Sequence, residues 1–227
     1  MPLDYRIVDV TRKNILWKDL FEKGIVNCEV SYPSGGEGEA SISRVNVFES
    51  EGSLCLAYPR TEAGSLPDAN VVVTKKVYGK YYLVYSRVGV EGNFKWYSDS
   101  HSVYIYINLD VADGSNLYSY GFFLSYNVSN KYFTMAIKTT GGYVAIPTVL
   151  PNDEDMWHKF KIEANMPDKK YSYKSIDHID FYPSITDPYV ESTSERYVGF
   201  SIQVRQPSTD IESIPMYIEK LRLYGVV

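Results

Sequence analysis

The sequence predicts an all-β protein, and three observations favour this class. Apolar and polar side chains alternate along many short segments, which is typical of strands with one buried face. Turn-forming residues, mainly Gly, Pro, Asn and Asp, separate these segments. Tyrosine, which suits the half-buried surface of a sheet, occurs 22 times in 227 residues. Many strands with little helix indicate a sandwich or barrel, and no linker or repeat divides residues 1–227, so we expect a single domain.

The predicted strands follow one another along the chain with short connections. They are Tyr5–Val10, Val26–Tyr32, Ser41–Glu49, Leu54–Tyr58, Val71–Lys76, Lys80–Val90, Phe94–Tyr97, His101–Leu109, Tyr120–Tyr126, Tyr132–Lys138, a run after Gly141-Gly142, Met156–Ala164, His178–Tyr182, Tyr197–Arg205 and Met216–Tyr224. Glu51-Gly52 and Glu91-Gly92-Asn93 are interpreted as turns, and residues 183–195 as a loop. Residues 11–21 are interpreted either as a short helix capped by Thr11 or as extended chain.

Composition and charge argue against some classes of partner. The net charge is −5 and the Lys and Arg residues are scattered, which argues against a nucleic-acid-binding surface. No run of about 18 apolar residues predicts a membrane span. The chain starts without the features of a signal peptide, which leaves its localisation open, including an extracellular or surface-associated one. Cys28 and Cys55 have no metal-ligating partner at suitable spacing, and a disulfide requires their strands to be neighbours.

Several short motifs occur in a characteristic order. They are Leu20-Phe21-Glu22-Lys23-Gly24, Gly52-Ser53-Leu54-Cys55-Leu56, Gly121-Phe122-Phe123, Tyr132-Phe133-Thr134-Met135, Trp157-His158-Lys159-Phe160-Lys161-Ile162, Val198-Gly199-Phe200 and the segment 217–225. This order resembles the concanavalin A-like lectin/glucanase superfamily in the broad laminin-G-like sense. The resemblance implies two stacked antiparallel sheets in a jelly-roll sandwich, one of them concave. It does not imply one activity, because this fold carries lectins, glycosidases, lyases and adhesion modules.

The acidic residues do not predict a catalytic pair. Laminarinase-type members carry a Glu-x-Asp-x-x-Glu strand that provides the nucleophile and the acid/base for retaining hydrolysis, and this motif is missing here. Asp177 and Asp180 are an odd number of residues apart, which places them on opposite faces of a strand. Whether the protein is an enzyme therefore stays open.

Alternation along the central strands predicts an aromatic, hydrogen-bonding face. In His101–Leu109 the odd positions are apolar, whereas Tyr104 and Tyr106 share the other face. Rings among amide and guanidinium groups suit the flat C–H faces and hydroxyls of sugars. The same reasoning, with the register extended back to residue 96, gives the carbohydrate-binding candidates Trp96, Tyr104, Tyr106, Tyr132, Gln203 and Arg205.

Three functional hypotheses follow from this face. The first is non-catalytic, lectin-like recognition of a polysaccharide or glycan. The second is a structural or assembly protein, such as a coat, surface-layer or virion component, that uses the same face for subunit contacts, since Tyr and Arg are also enriched at interfaces. The third is a glycosidase or polysaccharide lyase with an unidentified catalytic pair. A homo-oligomer is compatible with each of them.

One segment is a candidate structural calcium site. Asp110, Asp113 and Asn116 offer oxygen ligands around Gly114, a composition that suits Ca²⁺. The same residues also form an ordinary turn, and the segment lacks the length and closing Glu of an EF-hand loop. No other cofactor is predicted.

Overall fold

Sixteen strands make up the regular structure of the described residues. The computed structural model describes residues 13–19, 28–31, 39–43, 53–57, 69–79, 84–96, 102–153, 156–177, 179–180, 184–206 and 216–227. The strands are β1 (Lys13–Asp19), β2 (Glu29–Ser31), β3 (Glu39–Ser43), β4 (Ser53–Ala57), β5 (Ala69–Tyr78), β6 (Arg87–Trp96), β7 (Tyr104–Asp113), β8 (Asn116–Asn127), β9 (Tyr132–Thr139), β10 (Gly142–Pro151), β11 (His158–Asn165), β12 (Lys170–Ile176), β13 (Ile179–Asp180), β14 (Tyr189–Ser192), β15 (Arg196–Gln206) and β16 (Met216–Val226).

The strands form two antiparallel sheets, which confirms the predicted all-β sandwich. Sheet I has the order β13-β12-β11-β6-β16-β4-β3, with β1 also paired to β16. Sheet II has the order β10-β9-β8-β7-β15-β5-β2, with β14 also paired to β8. The core lies between the sheets and consists of the apolar side chains that alternation directs inward. Each fully buried Val, Leu, Ile or Phe contributes roughly 1.5–3 kcal/mol to this layer.

Two strands from opposite sheets illustrate how alternation builds this core. In β7, Ile105, Ile107 and Leu109 are fully buried. In β11, Phe160 and Ile162 are fully buried as well, and they face the core from sheet I. The polar residues between them lie on the two outer faces of the sandwich, where a ligand has access.

Several element predictions require correction. Residues 13–19 form strand β1, paired with β16, so the helical interpretation of residues 11–21 is wrong. The predicted turn Glu91-Gly92-Asn93 is also wrong, because β6 continues through it. A Cβ at Gly92 would lie 3.1 Å from the Phe160 ring, so the glycine serves packing between strands. Strand β14 lies inside the predicted loop 183–195. The predicted strand Tyr5–Val10 lies outside the described residues.

The two cysteines lie in different sheets and form no disulfide. Cys55 is in β4 of sheet I, and Cys28 directly precedes β2 of sheet II. Among the described residues, no helix is long and apolar enough to cross a membrane.

The Tyr171 side chain of sheet I contacts a break in sheet II, the point at which β8 changes its pairing partner. Strand β8 pairs with β14 through its first residues and with β9 from Phe122 onward. At the change of partner, the Tyr171 hydroxyl accepts a hydrogen bond from the Gly121 N–H at 2.6 Å and lies 2.9 Å from the Lys138 carbonyl oxygen. Because Tyr171 belongs to β12, this contact ties the two sheets together.

Candidate functional site

The structure brings four of the six sequence-predicted ligand residues together on the outer face of sheet II. Tyr104 is the register partner of Arg205, and Tyr106 is the partner of Gln203 across strands β7 and β15. All four side chains are half-buried, so each keeps part of its surface accessible. The Arg205 guanidinium carbon lies 5.9 Å from the centre of the Tyr104 ring, within cation–π range.

Two further aromatic residues complete a cluster on this face. The Phe123 ring lies 5.9 Å from Tyr104 in a stacked arrangement and 4.9 Å from Tyr106. The Tyr143 ring lies 5.4 Å from Phe123 and 6.1 Å from Tyr106. We call Tyr104, Tyr106, Phe123 and Tyr143 the aromatic cluster. The small side chain of Ala136 on β9 separates Phe123 from β10, which lets the two rings meet across that strand.

Sequence reasoning missed Phe123 and Tyr143. The signal for Phe123 was present, because Phe122 is fully buried and alternation places its neighbour outward. Tyr143 is 46% exposed and follows the Gly141-Gly142 turn, but only the pairing of β10 with β9 brings it to the cluster. Burial and the neighbouring Tyr106 raise the pKa of Tyr143 to about 12, so its hydroxyl is a hydrogen-bond donor at neutral pH.

The placement of Trp96 on this face is wrong. Trp96 ends β6 in sheet I, and its side chain is fully buried in the core. The segment between β6 and β7 carries the chain from one sheet to the other, so the register of β7 does not extend back to residue 96.

Tyr132 lies on the same face but at its margin. Tyr132 pairs with Asn127 of β8. Asn127 lies two residues along β8 from Ser125, which pairs with Thr134 on one side and with Tyr104 on the other. The Tyr132 hydroxyl accepts a hydrogen bond from Asn130 Nδ2 at 3.2 Å. The structure therefore does not include Tyr132 in the aromatic cluster.

A hydrogen-bonded polar cluster adjoins the aromatic cluster. Asp110 Oδ1 accepts a hydrogen bond from Ser119 Oγ at 2.7 Å, and its Oδ2 lies 3.4 Å from Ser201 Oγ. Lys138 Nζ donates to Ser119 Oγ at 3.0 Å, and Asn108 Nδ2 donates to Ser201 Oγ at 3.1 Å. We call these five residues the polar cluster. Asn108 is two residues from Tyr106 on the same strand face, so the two clusters are adjacent.

The environment of Asp110 favours its protonated form more than water does. Burial raises the pKa of Asp110 above its ordinary value, although the hydrogen bonds from Ser119 and Ser201 and the charge of Lys138 oppose the shift. The carboxyl oxygens of Asp110 and the ammonium group of Lys138 provide an acceptor and a donor within the polar cluster.

The structure gives Asp110 and Asp113, two of the three calcium candidates, different hydrogen-bond partners. Asp113 Oδ1 accepts hydrogen bonds from the backbone N–H groups of Ser115 and Asn116, at 3.0 and 2.9 Å, which closes the turn between β7 and β8. Gly114 has φ 93°, a backbone conformation that glycine adopts without steric cost. Asp110 points to the polar cluster instead. The described residues contain no group of three or more His, Cys, Asp or Glu side chains arranged to hold a metal ion.

Solved structures with this architecture share little sequence with the chain. A conserved carbohydrate esterase from Shiga toxin-encoding bacteriophage phi24B has a TM-score of 0.59 at 12% identity, over 94% of this chain and 99% of that chain. A glycoside hydrolase family 16 endo-glucanase from Bacteroides ovatus has a TM-score of 0.55 at 11% identity, over 92% of this chain and 100% of that chain. The CBM2 module of Lactobacillus casei BL23 phage J-1 evolved Dit has a TM-score of 0.54 at 8% identity, over 94% and 96%.

These likenesses identify the fold. The chain is a jelly-roll sandwich. This result is consistent with the concanavalin A-like architecture that the order of motifs implied. The chain matches no protein-family model and no curated protein.

The carboxylates of this jelly roll can be compared with what glycoside hydrolysis requires. Retaining glycosidases place two carboxyl groups about 5–5.5 Å apart. In the polar cluster the central carboxyl is Asp110, and the negative charge of Glu191 on β14 contributes to its raised pKa. Glu191 is exposed, and its Oε2 accepts a hydrogen bond from the Tyr189 hydroxyl at 3.2 Å. These two residues are the ones to substitute in any test for hydrolysis on this face.

The Asp177 carboxylate has a structural partner in the core. His158 is fully buried, with Nδ1 2.9 Å from Asp177 Oδ2 and Nε2 3.1 Å from Asn152 Oδ1. Its ring packs 5.1 Å from that of Phe94. Asp177 Oδ1 also accepts the backbone N–H of Lys159 at 2.8 Å. Asp177 therefore orients a buried imidazole at the start of β11. His178 lies outside the described residues.

Proposed function

We propose that the protein binds carbohydrate, without cleaving it, on the outer face of sheet II. The observation that carries this proposal is the aromatic cluster, four partly accessible rings beside Gln203, Arg205 and the polar cluster. In the polar cluster Asp110, Lys138 and Ser201 are half-buried, whereas Asn108 and Ser119 are buried. The rings offer stacking surfaces for the apolar faces of pyranose rings. The amide, guanidinium, ammonium and carboxyl groups offer both donors and acceptors for sugar hydroxyls.

The arrangement suits a chain of sugars better than a single residue. Tyr104 and Tyr106 are successive outward positions of β7, separated by about 7 Å along the strand. Phe123 and Tyr143 extend the aromatic surface across β8 and β10, which makes it wider than one ring. The structural neighbours named above are a carbohydrate esterase, an endo-glucanase and a CBM2 module, which supports a glycan as the class of ligand.

The test is a binding measurement on a panel of polysaccharides with Tyr104→Ala and Tyr106→Ala beside the parent protein. We expect each variant to weaken binding roughly 3- to 10-fold, because loss of one stacked ring removes about 0.5–1.5 kcal/mol. Tyr173→Ala is the matched control, since Tyr173 is 37% exposed on strand β12 of the other sheet. Circular dichroism checks that each variant is folded.

The same samples distinguish binding from catalysis. Hydrolysis would replace the binding proposal if the parent protein releases reducing ends and Asp110→Asn or Glu191→Gln loses this activity. Release of unsaturated products, detected by ultraviolet absorbance, would replace it with lyase activity. Absence of binding across a broad panel would contradict the proposal directly.

A subunit interface on this face is a second candidate, and the exposure of β10 favours it. Tyr143, on the outer face, is 46% exposed, and Val144 and Val149 of the same strand are 43% and 40% exposed. Among the described residues, β10 ends the order of sheet II. An edge strand with exposed apolar side chains is a surface on which another chain can pair. Sedimentation velocity of the parent protein gives the decisive quantity, because an oligomer that dissociates in Tyr143→Lys assigns this face to assembly.

A further inference from the structure

A pocket lies on the outer face of sheet I, on the side of the sandwich opposite to the aromatic cluster. Its volume is about 130 Å³, and it is lined by Glu91, Gly92, Asn93, Trp157, Lys159, Lys220 and Arg222. Trp157 directly precedes β11, and the other lining residues belong to β6, β11 and β16. They become neighbours only when the central strands of sheet I pair.

A β-bulge shapes one wall of this pocket. The pairing of β16 with β6 shifts register between Glu219 and Arg222. Ile218 and Leu221 are both buried in the core, so the two residues between them lie outward. Lys220 has φ 51°, a left-handed conformation that is uncommon for a residue other than glycine. Bulges of this kind redirect side chains and are frequent beside binding sites. Here the bulge places Lys220 and Arg222 at the same pocket.

The pocket is lined by more positive than negative charge. Among the described lining residues, Lys159, Lys220 and Arg222 are cationic and Glu91 is anionic, with its Oε1 3.5 Å from Arg222 Nη1. Asn93, which lines the pocket, donates a hydrogen bond through Nδ2 to the buried Glu219 carboxylate at 3.2 Å. Among the described residues, three cations (Lys159, Lys220 and Arg222) and two carboxylates (Glu91 and Glu219) lie at this site, a balance that favours an anionic group over a cationic one.

We propose that this pocket binds the carboxylate of a uronic acid residue, with the sugar ring against the indole of Trp157. A planar carboxylate matches the paired donors of a guanidinium, and Lys159 and Lys220 add charge-assisted donors. An indole provides the apolar surface on which a pyranose ring stacks. The volume is comparable to the engineered cavity of about 150 Å³ that holds a six-membered benzene ring.

This inference is independent of the proposed function, because the two sites lie on opposite sheets and share no residue. A protein that fails to bind neutral glycans at the aromatic cluster can still bind a uronate here. The reverse also holds.

The experiment is calorimetric titration of the full chain with a β-1,4-linked oligoglucuronate and with cellotetraose, a neutral oligomer of the same linkage. We expect the oligoglucuronate to bind more tightly. Lys159→Met and Arg222→Met should each weaken that binding roughly tenfold or more, because each removes a hydrogen bond between charged groups, and should leave cellotetraose unaffected. Lys159 is exposed, so its variant keeps the test valid if Arg222→Met does not fold. Tyr104→Ala is the control for the other face and should preserve the preference for the charged oligomer.

Three results would overturn the assignment. The first is equal affinity for the charged and the neutral oligomer. The second is unchanged oligoglucuronate affinity in both folded variants. The third comes from two further titrations, one with inorganic phosphate and one with monomeric glucuronate. If phosphate binds as tightly as monomeric glucuronate, the pocket is a general anion site.

Discussion

Lys174 carries a charge that the folded protein disfavours. Its Nζ donates to the Ile185 carbonyl oxygen at 2.7 Å and lies 4.9 Å from the centre of the Tyr171 ring. Burial lowers the pKa of Lys174 to about 8, whereas an unfolded chain has a lysine pKa of about 10.4. Below pH 8 both states are protonated and the folded state bears the whole cost of the buried charge. Between about pH 8 and 10.4 the unfolded state binds more protons, so stability rises with pH.

The effect of Lys174 is measured as the difference in the free energy of unfolding between the parent protein and Lys174→Met. Relative to Lys174→Met, the free energy of unfolding of the parent should rise by about 3 kcal/mol as the pH increases from 7 to 10.5. Urea denaturation at several pH values measures it. Lys170→Met, at an exposed lysine of the same strand, controls for the loss of one positive charge. A parent-to-Met difference that is constant over this range would contradict the prediction.

Side-chain direction was predictable wherever one uninterrupted strand decided it. The period of two placed Tyr104 and Tyr106 on one face of β7, and Gln203 and Arg205 on one face of β15. It did not place Trp96, because the chain changes sheets between residues 96 and 104 and the register is lost there. It also did not join Tyr143 to the cluster, because that contact depends on pairing across β9.

At the scale of elements, close approach between strands explains a glycine that the hydrophobic pattern leaves unexplained. Gly199 lies in β15 beside β5, and a Cβ built on it would be 2.3 Å from the Lys75 carbonyl oxygen. Backbone cannot yield as a flexible side chain does, so Gly199→Ala must displace one strand from the other. We expect a loss of about 1–3 kcal/mol in the free energy of unfolding, the usual cost of overpacking. Gly141→Ala is the matched control, because its nearest contact would be Thr139 Oγ1 at 3.9 Å. Equal stability of the two variants in urea would be incompatible with this account.

Element boundaries failed where packing overrode local pattern. Strand β12 was not predicted because its sequence, KYSYKSI, contains few apolar residues and shows no clear alternation. Its pairing with β11 also shifts register between Glu163 and Ala164. In β6 the sequence Glu91-Gly92-Asn93 has the composition of a turn, but the glycine is required by the Phe160 ring of the neighbouring strand. Both errors concern contacts between distant parts of the chain, which single-sequence reasoning does not contain.

At the scale of the whole molecule, two sheets present different chemistry on their outer faces, and their mutual position depends on the core and on contacts that cross it. Tyr171 makes such a contact, from β12 in sheet I to Gly121 and Lys138 in sheet II. Tyr171→Phe keeps the ring against Tyr120, 5.1 Å away, and removes only the hydroxyl. It leaves the Gly121 N–H buried without this acceptor, so we expect a loss of about 1–3 kcal/mol in the free energy of unfolding.

Tyr189→Phe is the matched control for this last prediction, because it removes a hydroxyl whose hydrogen bond to Glu191 is exposed. Its stability should stay within about 0.5 kcal/mol of the parent. Hydrogen exchange adds a local measurement, since the Gly121 amide should lose protection in Tyr171→Phe more than amides elsewhere in β8. If Tyr171→Phe is as stable as Tyr189→Phe and the Gly121 amide stays protected, the break in sheet II is held by its own strands. The two faces would then be coupled by apolar packing alone.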